Sequence, residues 1–327
     1  MPSPLAALAR AALALALTAA VLCAAPALAQ EWPKARPIRI VVPNPPAGPS
    51  DISLRPVAAA MQAALGQAVV VDNKPGANGN IGAAEVARSA PDGYTWLWAM
   101  DPVLTVNPHV YKNMGYKADA LETLVVAARF SQTLVCGPGT GFKSVKDMVA
   151  ASKTRELTYA SGGAGSPGHL VMESLLATSG AKMVHVPYKG PAPAMQDLLG
   201  GQVDCGFLAG PTVFPQVQSG KLIALATSGK TRSALAPELP TIAESGFPEF
   251  DGTFWILLAA PKGVPPAVQK RFVDAMNEAI RAPEQKERAK ALDIEMVGST
   301  VAEAQARAKG QSAQWAALVK RIHLTND

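Results

Sequence analysis

Short apolar runs alternate with helix-like segments along this sequence, and the alternation passes through the chain twice. The first pass extends from residue 37 to about residue 99, and the second from about residue 134 to residue 227. Short buried strands that alternate with helices are typical of an α/β fold with largely parallel strand pairing. Two passes of similar size predict a bilobed protein, in which two α/β domains are joined by crossover strands.

The boundaries of the predicted elements follow from apolar runs, glycines and prolines. Strands are predicted at residues 37–42, 68–71, 95–99, 134–136, 157–160, 183–186, 203–208, 222–227 and 255–259. Helices are predicted at residues 51–65, 81–89, 144–153, 167–179, 193–199, 265–280 and 301–322. The helical tail is expected to return to the first lobe. The domains are therefore predicted as residues 30–130 plus 250–327 for domain 1 and residues 131–249 for domain 2.

The N-terminus has the pattern of a secretory signal. Arg10 precedes an alanine- and leucine-rich run, and Ala27-Leu28-Ala29 forms a cleavage site of the A-x-A type. The alternative, a membrane anchor, is disfavoured because the apolar run is short and no charged stop-transfer flank follows it. A lipoprotein signal at Cys23 is set aside because bulky Leu22 precedes it. Residues 1–29 are thus predicted to be a cleaved signal peptide, which places the protein in the periplasm.

Length and charge limit the classes of protein that fit the remaining chain. About 298 residues remain, which favours two domains over a single core. Loss of one basic residue with the signal leaves a net charge of +4, and the basic residues are scattered. Mild basicity in an exported protein suits anionic small ligands or general solubility. Nucleic-acid binding would require a basic patch interleaved with aromatic residues, and none is present. We expect a monomer that binds no nucleic acid.

Two cysteines follow the signal, at positions 136 and 205. Export permits a disulfide between them. Each also lies in a short apolar run, where a buried thiol is equally reasonable. The sequence does not give the distance between them, so both readings stay open.

Two loops are the main candidates for a binding site. Residues 44–51 follow the first strand and residues 161–166 follow a strand of the second pass, and each loop leads into a helix. The first helical turn has backbone N–H groups without partners and the positive end of the helix dipole, and small residues let an anion approach them. In open α/β sheets, ligands bind beyond the carboxyl ends of strands. The candidate contacts are Asn44, Ala47, Gly48, Pro49, Ser50, Asp51, Ser161, Gly163, Ala164, Gly165 and Ser166.

Each loop also has a purely structural reading as an ordinary glycine-rich connector. Asp51 and Ser166 are suited to capping the helices that follow them. Asp101 follows a third strand, where it either binds an amine or hydroxyl of a ligand or begins a turn. Asp204 either points into the cleft or caps a neighbouring segment. His169 lies near the start of a helix, where packing is commoner than base catalysis.

Enzyme and metal motifs are missing from the sequence. Ser166 lacks the glycine two positions earlier that a nucleophile elbow needs, since position 164 is alanine. No phosphate-binding loop or dinucleotide fingerprint is present. The four histidines show no pair at metal-ligand spacing. We therefore expect no catalysis, no metal and no cofactor; a hydrolase that uses Ser166 and His169 is the disfavoured alternative.

The chain resembles the Bug, or TctC-like, family of substrate-binding proteins of tripartite tricarboxylate transporters. The motifs that carry this resemblance, in order, are residues 36–43, 45–48, 65–67, 73–79, 81–83, 91–95, 107–108, 159–161, 165–166, 169–170, 185–190, 197–204, 220–222 and 239–241. The resemblance implies a two-lobed Venus-flytrap fold in which the two loops hold a ligand carboxylate. It also implies two integral-membrane partner subunits (TctA/TctB-like), although some members of the family serve in sensing.

The first loop departs from the family pattern Phe-Pro-Pro-Gly-Gly-Gly-Thr-Asp. Asn44 replaces the aromatic residue, Ala47 the first glycine, and Pro49-Ser50 the Gly-Thr pair. Pro49 removes one backbone donor. Asp101 stands where the family more often has a small neutral residue, and an acid near the pocket would repel a second carboxylate. We therefore expect a monocarboxylate, or a ligand with an amine or hydroxyl that faces Asp101.

Overall fold

Two mixed β-sheets, each with helices packed against it, make up the protein in the computed structural model, which describes residues 32–46 and 48–325. The predicted signal peptide, residues 1–29, and Ala47 lie outside the described residues. The first sheet has the strand order β11-β4-β10-β3-β1-β2 and the second has the order β7-β6-β8-β5-β9. The strands are β1 Ile38–Val42, β2 Val69–Asn73, β3 Thr95–Met100, β4 Leu121–Phe130, β5 Gln132–Cys136, β6 Thr158–Ser161, β7 Val184–Pro187, β8 Cys205–Ala209, β9 Ile223–Thr227, β10 Phe254–Pro261 and β11 Ile294–Met296.

The helices lie between these strands, as the alternating pattern predicts. They are α1 Pro49–Leu65, α2 Asn80–Ala87, α3 Pro102–Thr105, α4 Asn107–Val110, α5 Val145–Ala151, α6 Pro167–Ser179, α7 Pro191–Leu199, α8 Gly210–Gln218, α9 Pro266–Arg281, α10 Pro283–Lys290 and α11 Val301–Arg321. Helices α3, α4 and α8 were not predicted. They are short, contain glycine or proline, and show no clear periodic spacing of apolar residues. No helix among the described residues is long and apolar enough to cross a membrane.

The expectation of largely parallel pairing is wrong, because both sheets are mixed. Strand β1 pairs in parallel with β2 and β3, and β6 pairs in parallel with β7 and β8. Strand β10 instead runs antiparallel to both β3 and β4, and β5 runs antiparallel to β8 and β9. The antiparallel strands are those that carry the chain between the sheets: β4 ends at Phe130 and β5 begins at Gln132. The predicted bilobed fold with crossover strands is confirmed.

Each sheet has its own hydrophobic core, and the C-terminal helix contacts both. In the first lobe, Phe272 of α9 stacks on Trp96 of β3 with ring centroids 3.8 Å apart. Trp315 of α11 stacks on Phe254 of β10 and is buried with the core of the second lobe. Arg321 Nη2 donates to Ala177 O in α6 at 2.9 Å. The tail therefore returns to the first lobe through α9 and β11, while its last helix also bridges to the second.

Cys136 and Cys205 form a disulfide, so the question left open by the sequence is answered. They are directly opposite each other on the antiparallel strands β5 and β8. The bond therefore joins the crossover strand to the centre of the second sheet.

Candidate functional site

A turn next to the loop that follows β1 contacts the loop that follows β6. The carboxyl ends of β1 and β6 lead into α1 and α6, respectively. Close to them, Asn78 Nδ2 of the first lobe donates to Ala164 O of the second at 3.2 Å. We call the region between the described residues 44–46 and 48–51 of the first loop and residues 161–166 of the second loop the front cleft. This contact brings the turn beside the first loop to the second loop, and a shared binding site between the two loops stays a prediction.

Helix α1 begins at Pro49, two residues earlier than predicted. Gly48 precedes it with extended backbone, and no side chain caps it. Proline suits this first position because its fixed φ is helical and its missing N–H needs no partner there. Asp51 is consequently in the first turn and is not the cap. Its carboxylate accepts from Arg55 Nε at 3.0 Å and Arg55 Nη2 at 2.8 Å.

The first-lobe loop holds two polar atoms that have no partner among the described residues. These are Asn44 Oδ1 and Ser50 Oγ, both shielded from solvent. The backbone around them is fixed: Asn73 Nδ2 donates to Asn44 O at 3.1 Å, and Trp98 Nε1 donates to Ser50 O at 3.1 Å. A buried polar group without a hydrogen bond costs about 1–3 kcal/mol. The two unpaired atoms therefore lower the stability of this loop.

The turn at residues 77–80 is a part of the cleft that sequence reasoning noted only as glycine-rich. Asn78 adopts a left-handed backbone with φ 50°. Asn107 Nδ2 donates to Asn78 O at 3.0 Å and to Asn80 Oδ1 at 2.9 Å, which fixes the turn against α4. At Gly79, a Cβ atom would lie 2.7 Å from Val103 Cγ2, so a larger residue does not fit. The repeated Asn and Gly residues of this segment are the sequence signal that could have identified the turn.

The second-lobe loop uses several of its amides internally. Gly163 N–H donates to Ser161 Oγ at 3.1 Å, Ser166 N–H to Gly163 O at 3.1 Å, and Gly165 N–H to His169 Nδ1 at 3.0 Å. The N–H groups of Gly162 and Ala164 have no acceptor among the described hydrogen bonds. Among the described residues of this loop, the amides of Gly162 and Ala164 are therefore the candidates for ligand contact. Ser166 caps α6 as the structural reading suggested, since its Oγ accepts from the backbone of His169.

Two histidines and a tyrosine form a stack of rings, and both histidines contact this loop through hydrogen bonds. His185 lies between Tyr159 and His169, with ring centroids 4.8 and 4.1 Å away. Ser161 Oγ and His185 Nε2 are 2.6 Å apart. Burial lowers the pKa of His169 to about 3, with a further contribution from His185, and burial lowers the pKa of His185 to about 4. Both imidazoles are therefore neutral near pH 7. His185 was not among the predicted site residues, because no spacing links it to Ser161.

Asp101 is buried, so of its two sequence readings the structure favours a structural role over contact with a ligand. Its side chain is buried at the crossover, where Trp255 N–H of β10 donates to Oδ1 at 2.9 Å and Thr105 Oγ1 lies 3.4 Å from Oδ2. Burial raises the pKa of Asp101 to about 7, against these hydrogen bonds, which lower it. Asp101 therefore ties β3 and α3 to the crossover strand.

Asp204 lies outside the front cleft. Its Oδ2 accepts from Thr158 N–H at 2.7 Å and from Thr158 Oγ1 at 3.0 Å, at the start of β6. Because β6 and β8 are parallel, Asp204 is at the amino-terminal edge of the sheet, opposite the loop that follows Ser161. Of the two readings of Asp204, the structure favours the cap.

Two α/β lobes, two crossover strands and a cleft edged by glycine-bearing loops define a solute-binding receptor of the bilobed type. The chain belongs to the tripartite tricarboxylate transporter receptor (TctC) family, since the model of that family matches residues 53–324. The resemblance noted from sequence motifs is thereby confirmed.

Curated relatives and solved structures agree with this assignment. Protein BugT of Bordetella pertussis is 38% identical over 265 residues, which cover 79% of this chain and 80% of BugT. The structure of the periplasmic binding protein BugD superposes with a TM-score of 0.76 at 34% identity, covering 90% of this chain and 99% of BugD. R. palustris Rpa4515, solved with adipate, gives a TM-score of 0.80 at 29% identity, with 90% and 99% covered. Family members are thus substrate-binding proteins, and their solved structures include a carboxylate complex.

Proposed function

We propose that this protein is a periplasmic receptor that captures a small carboxylate in the front cleft and delivers it to a tripartite tricarboxylate transporter. The observation that supports the proposal is the Asn78–Ala164 hydrogen bond, which joins the turn beside the first candidate loop to the second candidate loop. Closure of two lobes on a ligand excludes water and strengthens the hydrogen bonds inside.

The ligand carboxylate is held by groups from both lobes. From the first lobe we assign the start of α1, where the helix dipole favours an anion. Asn44, Gly48 and Pro49 shape that side of the cleft. From the second lobe we assign the N–H groups of Gly162 and Ala164, which lack acceptors among the described residues, and the start of α6. Ser161, Gly163, Gly165, Ser166 and His169 hold these donors in place.

The charge of the ligand is less restricted than the sequence suggested. The argument for a monocarboxylate depended on Asp101 lying at the pocket, and its carboxylate instead bonds to the crossover strand. Repulsion between Asp101 and a second ligand carboxylate therefore loses its basis. Dicarboxylates such as the adipate found with Rpa4515 are included in the proposed ligand class.

Catalysis is not part of the proposed function. Ser161 and His185 are in hydrogen-bond contact, but Ser161 is fully buried and its oxygen already accepts from Gly163 N–H. His169 Nδ1 accepts from Gly165 N–H, so it is not directed at Ser166 as a base. Neither serine thus has both access to substrate and a base that serves it.

Export and membrane docking complete the proposal. Residues 1–29 direct the chain to the periplasm, where the loaded, closed monomer docks on two integral-membrane subunits. A sensing role for the same receptor is the alternative. Loss of carboxylate uptake in a deletion strain supports transport, whereas intact uptake with loss of gene induction supports sensing.

A thermal-shift screen after unfolding and refolding, which removes co-purified ligand, tests the binding step. We expect at least one small carboxylate, with adipate tested first, to raise the melting temperature, because a ligand at 100 times its Kd adds about 2.7 kcal/mol of stability. Gly163→Ala, which strains a left-handed position and places Cβ 3.1 Å from Tyr188 O, should abolish the shift. Gly180→Ala, a left-handed position with open space around it, is the matched control and should retain the shift. Equal shifts in both variants, or none in the refolded wild type, would contradict the proposal.

A further inference from the structure

A second groove between the lobes lies on the other side of the crossover strands from the front cleft. In the first sheet, β4 and β10 separate β11 from β3, β1 and β2. In the second sheet, β9 lies on the opposite side of β5 from β6 and β7. The front cleft is formed by the β1 and β6 sides, so β11 and the segment after β9 form a separate rear groove. There, Ser233 Oγ donates to Asp293 Oδ1 at 2.7 Å across the two lobes.

The rear groove is a cavity of about 410 Å³ with an excess of positive charge. Five basic and three acidic side chains line it. Arg129 is paired with Glu295, and Lys290 is near Glu287. Arg232 is paired with Glu244, which is outside the lining. Lys230 on the second-lobe wall and Lys286 on the first-lobe wall have no ion-pair partner within the part of the chain that the structure describes.

The remaining lining supplies an apolar surface next to these lysines. Ile294 and Met296 of β11 are buried core residues, and Phe130 at the end of β4 is partly buried beside them. A volume of this size is within the range of small-molecule sites, which combine an apolar lining with a few charged groups. The groove therefore matches an anion that also carries an apolar body.

We propose that the rear groove is a second binding site, for a small organic anion whose charged group pairs with Lys230 and Lys286 and whose apolar part packs on Phe130 and Met296. The two lysines belong to different lobes, so an anion held by both resists rotation about the crossover strands. This site is separate from the front cleft and does not depend on the function proposed for it.

The test follows 4-fluorobenzoate by fluorine NMR on refolded full-length protein at fixed ionic strength. We expect saturable binding that persists in Gly163→Ala, in which the front loop is distorted. When Lys230→Gln/Lys286→Gln is added to Gly163→Ala, the Kd should rise by about tenfold or more, because losing a hydrogen bond to a charged group lowers affinity about tenfold. Lys153→Gln/Lys182→Gln, two exposed lysines on another part of the second lobe, is the charge-matched control and should change nothing.

Three results would overturn the rear site. Binding that disappears in Gly163→Ala alone, with native circular dichroism, belongs entirely to the front cleft. Equal loss in the two lysine pairs indicates nonspecific attraction to positive charge. An unchanged Kd in Lys230→Gln/Lys286→Gln shows that these lysines hold no anion. If no carboxylate binds in the front cleft but 4-fluorobenzoate still binds in the rear groove, that result would contradict only the function proposed for the front cleft.

Discussion

Gly165 N–H donates to Nδ1 of His169 at 3.0 Å, and this hydrogen bond indicates which neutral tautomer the imidazole adopts. A ring nitrogen that accepts a hydrogen bond carries no proton, so the proton of neutral His169 is on Nε2. The loop that edges the cleft therefore depends on a histidine that stays uncharged. Its burial and its contact with His185 lower the pKa of His169 to about 3 and make this state stable near neutral pH.

Replacement of His169 should weaken ligand binding without contact to the ligand. In His169→Phe the Gly165 N–H loses its acceptor, which costs about 1–3 kcal/mol and allows the loop to move. We expect the Kd for a carboxylate to rise by about tenfold, measured by calorimetry, and His169→Gln, with an acceptor oxygen, to recover part of the loss. His323→Phe, at an exposed position near the C-terminus, is the control. An unchanged Kd in His169→Phe would show that the loop does not need this bond.

Acidification should destabilise the second lobe through the same histidines. The folded-state pKa values of about 3 and 4 for His169 and His185 lie below the ordinary value of 6.5, so the unfolded chain binds protons first as the pH falls. Stability from these groups is thus present above pH 6.5 and is lost as the pH falls toward 4 and 3. Melting temperatures of wild type and His169→Gln between pH 7 and pH 4 test this, and the variant should show the smaller decline. A parallel decline in the two proteins would refute the assignment.

Much of the fold could be predicted from the sequence, because burial on both faces of a strand gives a continuous apolar run. Residues 37–42 and 95–99 were recognised in this way, and they correspond to β1 and β3. The direction of Asp101 could not be predicted, since its partner Trp255 is 154 residues further along the chain. Likewise, sequence patterns placed the loop of residues 161–166 at a strand end, but not the stacked His185 beneath it. Local periodicity reports burial, whereas these contacts depend on how distant segments pack.

Asp101→Asn should stabilise the protein at pH 8. The pKa of Asp101 is raised to about 7 by burial, so its ionised form is disfavoured in the folded state. The stability contributed by the protonated form is full below pH 4 and is lost as the pH rises through 7. Asparagine stays neutral while Oδ1 still accepts from Trp255 N–H, so the gain should be on the order of 4 kcal/mol at most. Urea unfolding at pH 5 and pH 8 measures it; a gain no greater at pH 8 than at pH 5 would rule out the raised pKa.

Reduction of the Cys136–Cys205 disulfide should lower stability but leave the cleft intact. The bond closes a loop with a sequence separation of 69 residues, and the loop-entropy model gives a stabilisation of about 4 kcal/mol for such a length. Both sulfur atoms are in the sheet core, away from the loop of residues 161–166. We expect Cys136→Ala/Cys205→Ala to melt at a lower temperature, with a carboxylate Kd within about twofold of wild type under conditions where both are folded. A large loss of affinity in the folded variant would show that the bond also positions the loop.

Asn78→Gly isolates the contribution of the contact between the lobes. Asn78 has a left-handed backbone that glycine adopts freely, so this change removes the hydrogen bond to Ala164 O while the turn keeps its conformation. Such a bond is worth about 0.5–1.5 kcal/mol, and the Kd should therefore rise about two- to tenfold, mainly through faster dissociation. Ala77→Gly, at a neighbouring residue with φ 47°, makes the same backbone change and retains the Asn78 side chain. Stopped-flow dissociation should separate the two variants; identical rates would mean that the loops are held together by the ligand alone.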